Sequence, residues 1–299
     1  MSTALLPAIK SLGYELETDS TTWRELTETS LDFTDPAALM EQMNEDGYIF
    51  IRDFFPQDLI SEARMSMLEK LAAQGIFVPG YPLMEARLKD GVNPGFSPKE
   101  AMASEEVKRV VFGPEITGFC ESFLGGPIRH FDFIWARTKG RSHGAKPHCD
   151  IVYMGRGTHQ LYTAWIPYGR VTYDIGGLMI LEGSHRKADR IRKYLESDVD
   201  TYCENVPGRD GWKFSGSLSN NPFSLREKLG GRWLSAEYNM GDLLMFRMDT
   251  VHGSLDNQTD YLRLSTDTRY QLASEPIDER WVGENPIAHS AAGKRGRIC

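Results

Sequence analysis

Four side chains in this sequence have the types and spacing of a redox metal centre. His148 and Asp150 stand two apart in His148-Cys149-Asp150, His252 comes about a hundred positions later, and Arg263 lies eleven positions beyond it. Two imidazoles and one carboxylate, with no fourth protein ligand in view, suit a non-heme Fe(II) centre that keeps positions open for a co-substrate and O2. A buried arginine nearby suits a carboxylate on that co-substrate, because its planar fork matches a carboxylate in two parallel hydrogen bonds. Together these residues point to an oxygenase.

By itself an H-x-D pair is a weak signal, and the chain contains a second one, His130-Phe131-Asp132. That copy opens an aromatic run (Phe131, Phe133, Trp135) just after Gly125-Gly126-Pro127, where a hydrogen-bonded histidine and a capped turn are unremarkable. His148 and Asp150 instead come after a loop, 139–147, and precede a glycine-rich one, as a site at a barrel mouth should. In extended chain, spacing two puts both side chains on one face and turns Cys149 away into packing. His143, His159, His185 and His289 lack a carboxylate at that spacing, and His185 is expected in a strand-to-helix turn capped by Ser184.

His252 lies past the apolar run Leu243–Met248, which Gly241-Asp242 turns into. A lone histidine there would be an ordinary core residue. Its role as a ligand is argued from the next strand: the stretch 261–270 alternates, with Leu262, Leu264 and Thr266 on one face and Arg263, Ser265, Asp267 and Arg269 on the other. Either that polar row faces solvent, or Arg263 and Ser265 face the interior, where an unpaired arginine is costly unless an anion meets it.

These residues need a frame. Residues 1–36 are expected as an N-terminal arm, with Leu12, Tyr14, Trp23, Leu26 and Leu31 packed on the surface, and 37–125 as a mostly helical flank. Asp35-Pro36 starts one helix and Phe55-Pro56 leads into a longer one with Leu59, Ala63, Met67 and Leu71 at helical spacing. The Gly/Pro-rich segment 80–98 has the composition of a lid. From about Gly126 short strands recur (131–138, 159–168, 178–181, 243–248, 261–270), the pattern of a jelly roll. A core over 126–275, an insertion at about 186–238 lying over one mouth, and a tail over 276–299 complete a single domain.

Composition narrows the partners. At 299 residues, 40% hydrophobic and 25% charged, the chain suits one globular domain, and a net charge of -8 argues against nucleic acid. The absence of a long apolar run or a basic leader argues against a membrane and predicts a cytoplasmic protein, and the ending Arg297-Ile298-Cys299 is no peroxisomal signal. The four cysteines, scattered without C-x-x-C spacing, predict reduced thiols.

Taken together, these motifs make the chain one that resembles the phytanoyl-CoA dioxygenase family of Fe(II)/2-oxoglutarate-dependent oxygenases. The likeness runs in order through Glu45-Asp46-Gly47-Tyr48-Ile49-Phe50, Trp165-Ile166-Pro167, Gly176-Gly177-Leu178, Leu181-Glu182-Gly183-Ser184-His185, Gly241-Asp242 and His252-Gly253-Ser254. It implies a double-stranded β-helix with helical flanks. It further implies that His148, Asp150 and His252 bind iron, that Arg263 holds the distal carboxylate of 2-oxoglutarate, and that Ser254 and Trp165 touch this co-substrate, with Ser265 beside them. More weakly it implies that Phe133 or Trp135, and a cation near Arg87 or Lys89, border it. Glu182 departs from the family's usual proline before Gly-Ser-His and affects a turn only. Asp150 favours hydroxylation or a related oxidation over halogenation, because halogenating relatives carry a small residue there.

The implied reaction consumes 2-oxoglutarate and O2, releases succinate and CO2, and oxidises an unactivated C–H bond of a small metabolite. Substrate choice then lies in the walls, for which the candidates are Tyr153, Met154 and Arg156 after the metal motif, and Arg137 and Tyr168 on neighbouring strands. If Arg137 or Arg156 faces the cavity, the substrate is acidic. Two other readings use the same ligands: a zinc hydrolase with activated water, which has no use for Arg263, and a cupin-like binding protein without catalysis.

Overall fold

The computed structural model describes residues 8–30, 32–206 and 214–299. The first seven residues, Leu31 of the expected arm and part of the expected insertion lie outside them. The elements that position the site are, in order, β1 (Trp23–Glu25), α1 (Pro36–Asp46), β2 (Tyr48–Ile51), α2 (Gln57–Ala72), α3 (Glu105–Phe112), α4 (Pro114–Leu124), β3 (Ile128–His130), β4 (Trp135–Lys139), α5 (Ile151–Met154), β5 (Tyr162–Pro167), β6 (Leu178–Leu181), α6 (Pro222–Leu229), β7 (Trp233–Ser235), β8 (Leu243–Arg247), β9 (His252–Ser254) and β10 (Arg263–Leu272).

Local chemistry sets the helix ends. Asp35 accepts a hydrogen bond from the Ala38 amide at the start of α1, and Gly47, at φ 80°, takes the left-handed turn that ends it. Helix α2 has no side-chain cap, but Ile60, Ala63, Met67, Leu68 and Leu71 along it are fully buried. At about 1.5–3 kcal/mol for each large apolar side chain buried, that seam outweighs a missing cap worth about 1 kcal/mol.

The strands form two facing sheets. The larger runs β2-β8-β5-β10-β3, with β4 also on β10, and the smaller runs β9-β6-β7-β1. These pairings are antiparallel except β7 with β1. Period-2 alternation sorts the side chains. In β8, Leu243 and Met245 join α1–α4 in the outer core, while Leu244 and Phe246 meet Leu178, Ile180 and Leu234 of the smaller sheet. The expected jelly-roll-type architecture with helical flanks is what the chain adopts.

The differences from expectation have local causes. The run 131–138 is not one strand, because the Asp132 and Phe133 amides donate to the Trp281 carbonyl of the tail instead of to a neighbouring strand. The arm and the far end of the presumed insertion supply β1 and β7, which pair with each other and widen the smaller sheet. Gly183, not Ser184, caps the turn before His185, since the Ser184 hydroxyl accepts from the Val251 amide. The cysteines are not all reduced thiols. Cys203 and Cys299 form a disulfide across 96 residues, a pairing that close-spacing rules cannot detect, while Cys120 and Cys149 are free and buried. Among the described residues no helix is long and apolar enough to cross a membrane.

Candidate metal centre

His148 and His252 face each other across an isolated antiparallel bridge, each amide donating to the other's carbonyl at 2.9 Å. The chain then turns into α5, which swings Asp150 in beside both rings: its Oδ1 lies 3.8 Å from His148 Nε2 and 3.6 Å from His252 Nε2. One donor atom from each of the three lies within 4.8 Å of the others, a geometry that fits one iron. The rival pair serves structure: His130 stacks on Phe112 with ring centroids 4.0 Å apart, and Asp132 accepts from the Gly283 amide.

Partners around the ligands fix their chemical state. Nδ1 of His148 lies 2.7 Å from the Lys146 carbonyl and Nδ1 of His252 lies 3.0 Å from the Thr250 carbonyl. A carbonyl only accepts, so each Nδ1 carries the proton and each Nε2 offers its lone pair to the centre. Burial, then the neighbouring His252, pushes His148 down to about 3, and burial lowers His252 as well. Burial alone would raise the Asp150 carboxyl, but Arg269 foremost, then the two histidines and the Thr163 hydroxyl, hold it well below the usual carboxylate range.

The carboxylate's other oxygen, Oδ2, accepts from the Thr163 hydroxyl at 2.5 Å and from Arg269 at 2.7 Å, so only Oδ1 is left for the metal. Arg269 also donates to Asp267 at 2.6 Å and lies 4.1 Å over the Trp135 ring. Asp267 in turn takes two hydrogen bonds from Arg137. This chain of alternating charges was visible in the sequence only as the polar face of a strand. Its signal was the alternation itself: once Arg263 is turned inward, Asp267 and Arg269 must turn with it.

The three residues border two adjoining spaces. The inner cavity is lined by Thr163, Trp165, Leu178, Phe246, Ser254 and Arg263 together with His148 and His252. Arg263 is only 3% exposed and has no acidic partner among the described residues; it donates to the Gly176 carbonyl at 2.6 Å and its Nε is left without a hydrogen bond. Burial, then Arg137, lowers it to about 10. Ser265 Oγ, on the same strand face, is also buried and unpartnered, and the Ser254 hydroxyl accepts from the Ala145 amide. An orphaned guanidinium edge lining a cavity fits a carboxylate.

The outer chamber adjoins the inner cavity, sharing His148, Arg137 and Arg269 with it, and is lined besides by Asp150, Trp135, Lys146, Tyr153, Met154, Ser217 and His289. Of the residues expected to choose the substrate, Arg137, Tyr153 and Met154 are here, and Arg156 and Tyr168 are not. Arg156 lies beyond the α5 turn, which aims it at Asp198 and the Gly293 carbonyl. Tyr168 has the wrong strand parity: Thr163 and Trp165 of β5 face the cavity, whereas Ala164, Ile166 and Tyr168 face the helices, and its hydroxyl accepts from Thr266. Phe133, Arg87 and Lys89 line neither space; Arg87 stacks on Tyr81 and Lys89 donates to the Gly75 carbonyl. Lys146, Ser217 and His289 carried no sequence signal.

A family model described as phytanoyl-CoA dioxygenase (PhyH) matches residues 43–265. The 1-deoxypentalenic acid 11-beta-hydroxylase of Streptomyces exfoliatus is 26% identical over 272 residues, covering 83% of this chain and 88% of the relative. Among solved structures, the epimerase SnoN in complex with Fe3+, alpha ketoglutarate and nogalamycin RO is similar with a TM-score of 0.55 at 21% identity, covering 84% of this chain and 94% of that one. The non-heme alpha ketoglutarate dependent carbocyclase SnoK from nogalamycin biosynthesis is similar with a TM-score of 0.59 at 18% identity, covering 85% and 89%.

Proposed function

The chain belongs to the phytanoyl-CoA dioxygenase family of iron- and 2-oxoglutarate-dependent oxygenases, and from that premise we propose that it oxidises an unactivated C–H bond of a small acidic metabolite, with 2-oxoglutarate converted to succinate and CO2. The observation that carries the reading is Arg263, a buried cation with no counter-charge among the described residues, lining a cavity that shares His148 and His252 with the metal centre. A zinc hydrolase would leave that arginine without an anion.

In this reading His148, Asp150 and His252 hold Fe(II) and leave positions open. Bound iron supplies the activation of O2 and of the C–H bond. The rest falls to the chain. Arg263 takes the distal carboxylate of 2-oxoglutarate, with Ser254, Ser265 and Trp165 along its length. Thr163 and Arg269 keep Asp150 on a single donor oxygen. Phe246, Leu178 and Trp165 exclude water from the inner cavity, which limits wasteful oxidation.

The acidic character of the substrate rests on the outer chamber, where three cations, Arg137, Lys146 and Arg269, stand against two carboxylates, Asp150 and the Asp267 that pairs both arginines. Lys146 has no acidic partner among the described residues. The Streptomyces exfoliatus relative's name is that of an enzyme acting on an acid. Cytoplasmic residence, where 2-oxoglutarate is supplied, belongs to the same reading. The test is a panel of small carboxylic acids and their methyl esters, incubated with enzyme, Fe(II), 2-oxoglutarate and O2. Acid-stimulated succinate formation coupled to O2 uptake is expected; hydrolysis supported by Zn(II), with no succinate, would overturn the proposal.

A further inference from the structure

The wall of the outer chamber farthest along the chain comes from the tail, beyond the residues 43–265 that the family model matches. Its contribution is His289. The ring's Nδ1 lies 2.8 Å from Oδ2 of Asp200, a carboxylate with no exposed surface that also receives Arg280 and Lys294. The ring packs edge-on against Trp281 at 4.8 Å and against Tyr153 at 5.9 Å, and Tyr153 in turn meets the ring of His148 at 5.5 Å. The histidine is 38% exposed. With Nδ1 committed to Asp200, the free polar atom of a ring lining the chamber is Nε2.

The segment that delivers this ring is held on both sides of it. Upstream the Ala288 amide donates to the Arg280 carbonyl at 2.8 Å, and downstream the Arg295 amide donates to the Asp200 carbonyl at 2.8 Å. Residues Arg295–Arg297 then pair in parallel with Thr201–Cys203, and the Cys203–Cys299 disulfide closes the end. A flexible surface tail has no need of a buried carboxylate that fixes one imidazole. A binding wall does, because a preorganised partner loses less entropy when the ligand arrives.

We propose that His289, oriented by Asp200 and carrying a proton on both ring nitrogens in the complex, is a specificity-determining residue that donates from Nε2 to the carboxylate of the substrate. The inference rests on the function proposed above and adds the residue that reads the acid.

The test exploits which nitrogen each amide replaces. His289→Asn keeps a donor for Asp200 and removes the chamber-facing group; His289→Gln reaches the Nε2 position and gives up the Asp200 contact. Decanoate and methyl decanoate are the probes, their Kd measured by anaerobic equilibrium dialysis with enzyme loaded with Fe(II) and 2-oxoglutarate, with Tm as the check on folding. The wild type should prefer decanoate, H289N should bind it about tenfold more weakly with the ester unchanged, and H289Q should keep most of the preference. A purely structural histidine gives the reverse order, with H289N like wild type, and that result overturns the inference, as does a wild type that does not prefer the acid. Anaerobic binding of 2-oxoglutarate to the Fe(II)-loaded wild type, read as a visible charge-transfer band, is scored separately: its absence overturns the functional reading and this inference with it, while its presence alongside wild-type-like H289N overturns the inference alone.

Discussion

The inner cavity and the outer chamber meet at His148, Arg137 and Arg269, which line both, and are otherwise built differently. The inner one is walled by strand residues, Thr163 and Trp165 of β5, Phe246 of β8, Ser254 of β9 and Arg263 of β10, whose directions come from alternation in a hydrogen-bonded sheet. The outer one takes Lys146 from a loop, Tyr153 from a short helix, Ser217 from the approach to α6 and His289 from the tail. A rigid sheet suits a co-substrate shared by a family, and loops and termini suit the part that changes from one enzyme to the next.

The sharpest way to break this division is to remove what both sides share. Asp150→Ala should abolish iron binding and turnover, seen as loss of stoichiometric iron after anaerobic loading; retained iron would mean another ligand set. Next is Arg263→Met, which removes the inner anion partner. It should raise the KM for 2-oxoglutarate by about a hundredfold, the scale of a buried charge pair broken on one side, and leave Kd for an acidic substrate unchanged.

Arg269→Gln tests the wall between the two spaces. It frees one oxygen of Asp150 and should weaken iron affinity by about 10- to 100-fold, the usual effect of removing a ligand's supporting hydrogen bond, with an altered visible spectrum of the Co(II)-substituted protein. Lys146→Met acts only on the outer side: about a threefold to tenfold rise in KM for an acidic substrate is expected, reduced at high salt, because the charge sits at an exposed rim. A change in the 2-oxoglutarate KM would break the separation.

The smallest effect lies outside both spaces. His185 donates from Nε2 to the Asn44 carbonyl at 3.0 Å, and its Nδ1 is buried without a partner, so a second proton has no acceptor. Burial therefore lowers its folded pKa below the ordinary 6.5. The unfolded chain takes up the proton first, so this contribution to stability is complete above about pH 6.5 and declines as pH falls below it. His185→Gln should flatten denaturant-measured stability between pH 7 and 5, by a slope of at most about 1.4 kcal/mol per pH unit. An unchanged slope would show that His185 does not titrate differently on folding.

How much of the site was legible depended on how each residue is positioned. The choice between His130/Asp132 and His148/Asp150 could be made from neighbouring loops, and Arg263 could be found from its spacing and from the alternation of its strand. Tyr168 was expected in the wall only from lying on a neighbouring strand, and it was misplaced because the parity of β5 relative to the cavity is fixed by its register with β10, in which Ser265 faces Pro167 and Asp267 faces Trp165. Arg156 was misplaced by a turn of helix that spacing does not announce. The strand expected over 131–138 broke where a tail residue, Trp281, took its hydrogen bonds.

By itself the sequence determined the ligand types, the arginine that answers them and the period-2 pattern that calls for a two-sheet barrel, because these depend on residue identity and on spacings of a few positions. Tertiary structure alone decided that Arg269 and Thr163 hold Asp150, that Cys203 meets Cys299, and that a tail histidine, held by Asp200, lines the outer chamber. Those contacts join segments from 13 to 119 residues apart. At such separations the packing of whole sheets, and no local preference of the backbone, sets which side chains meet.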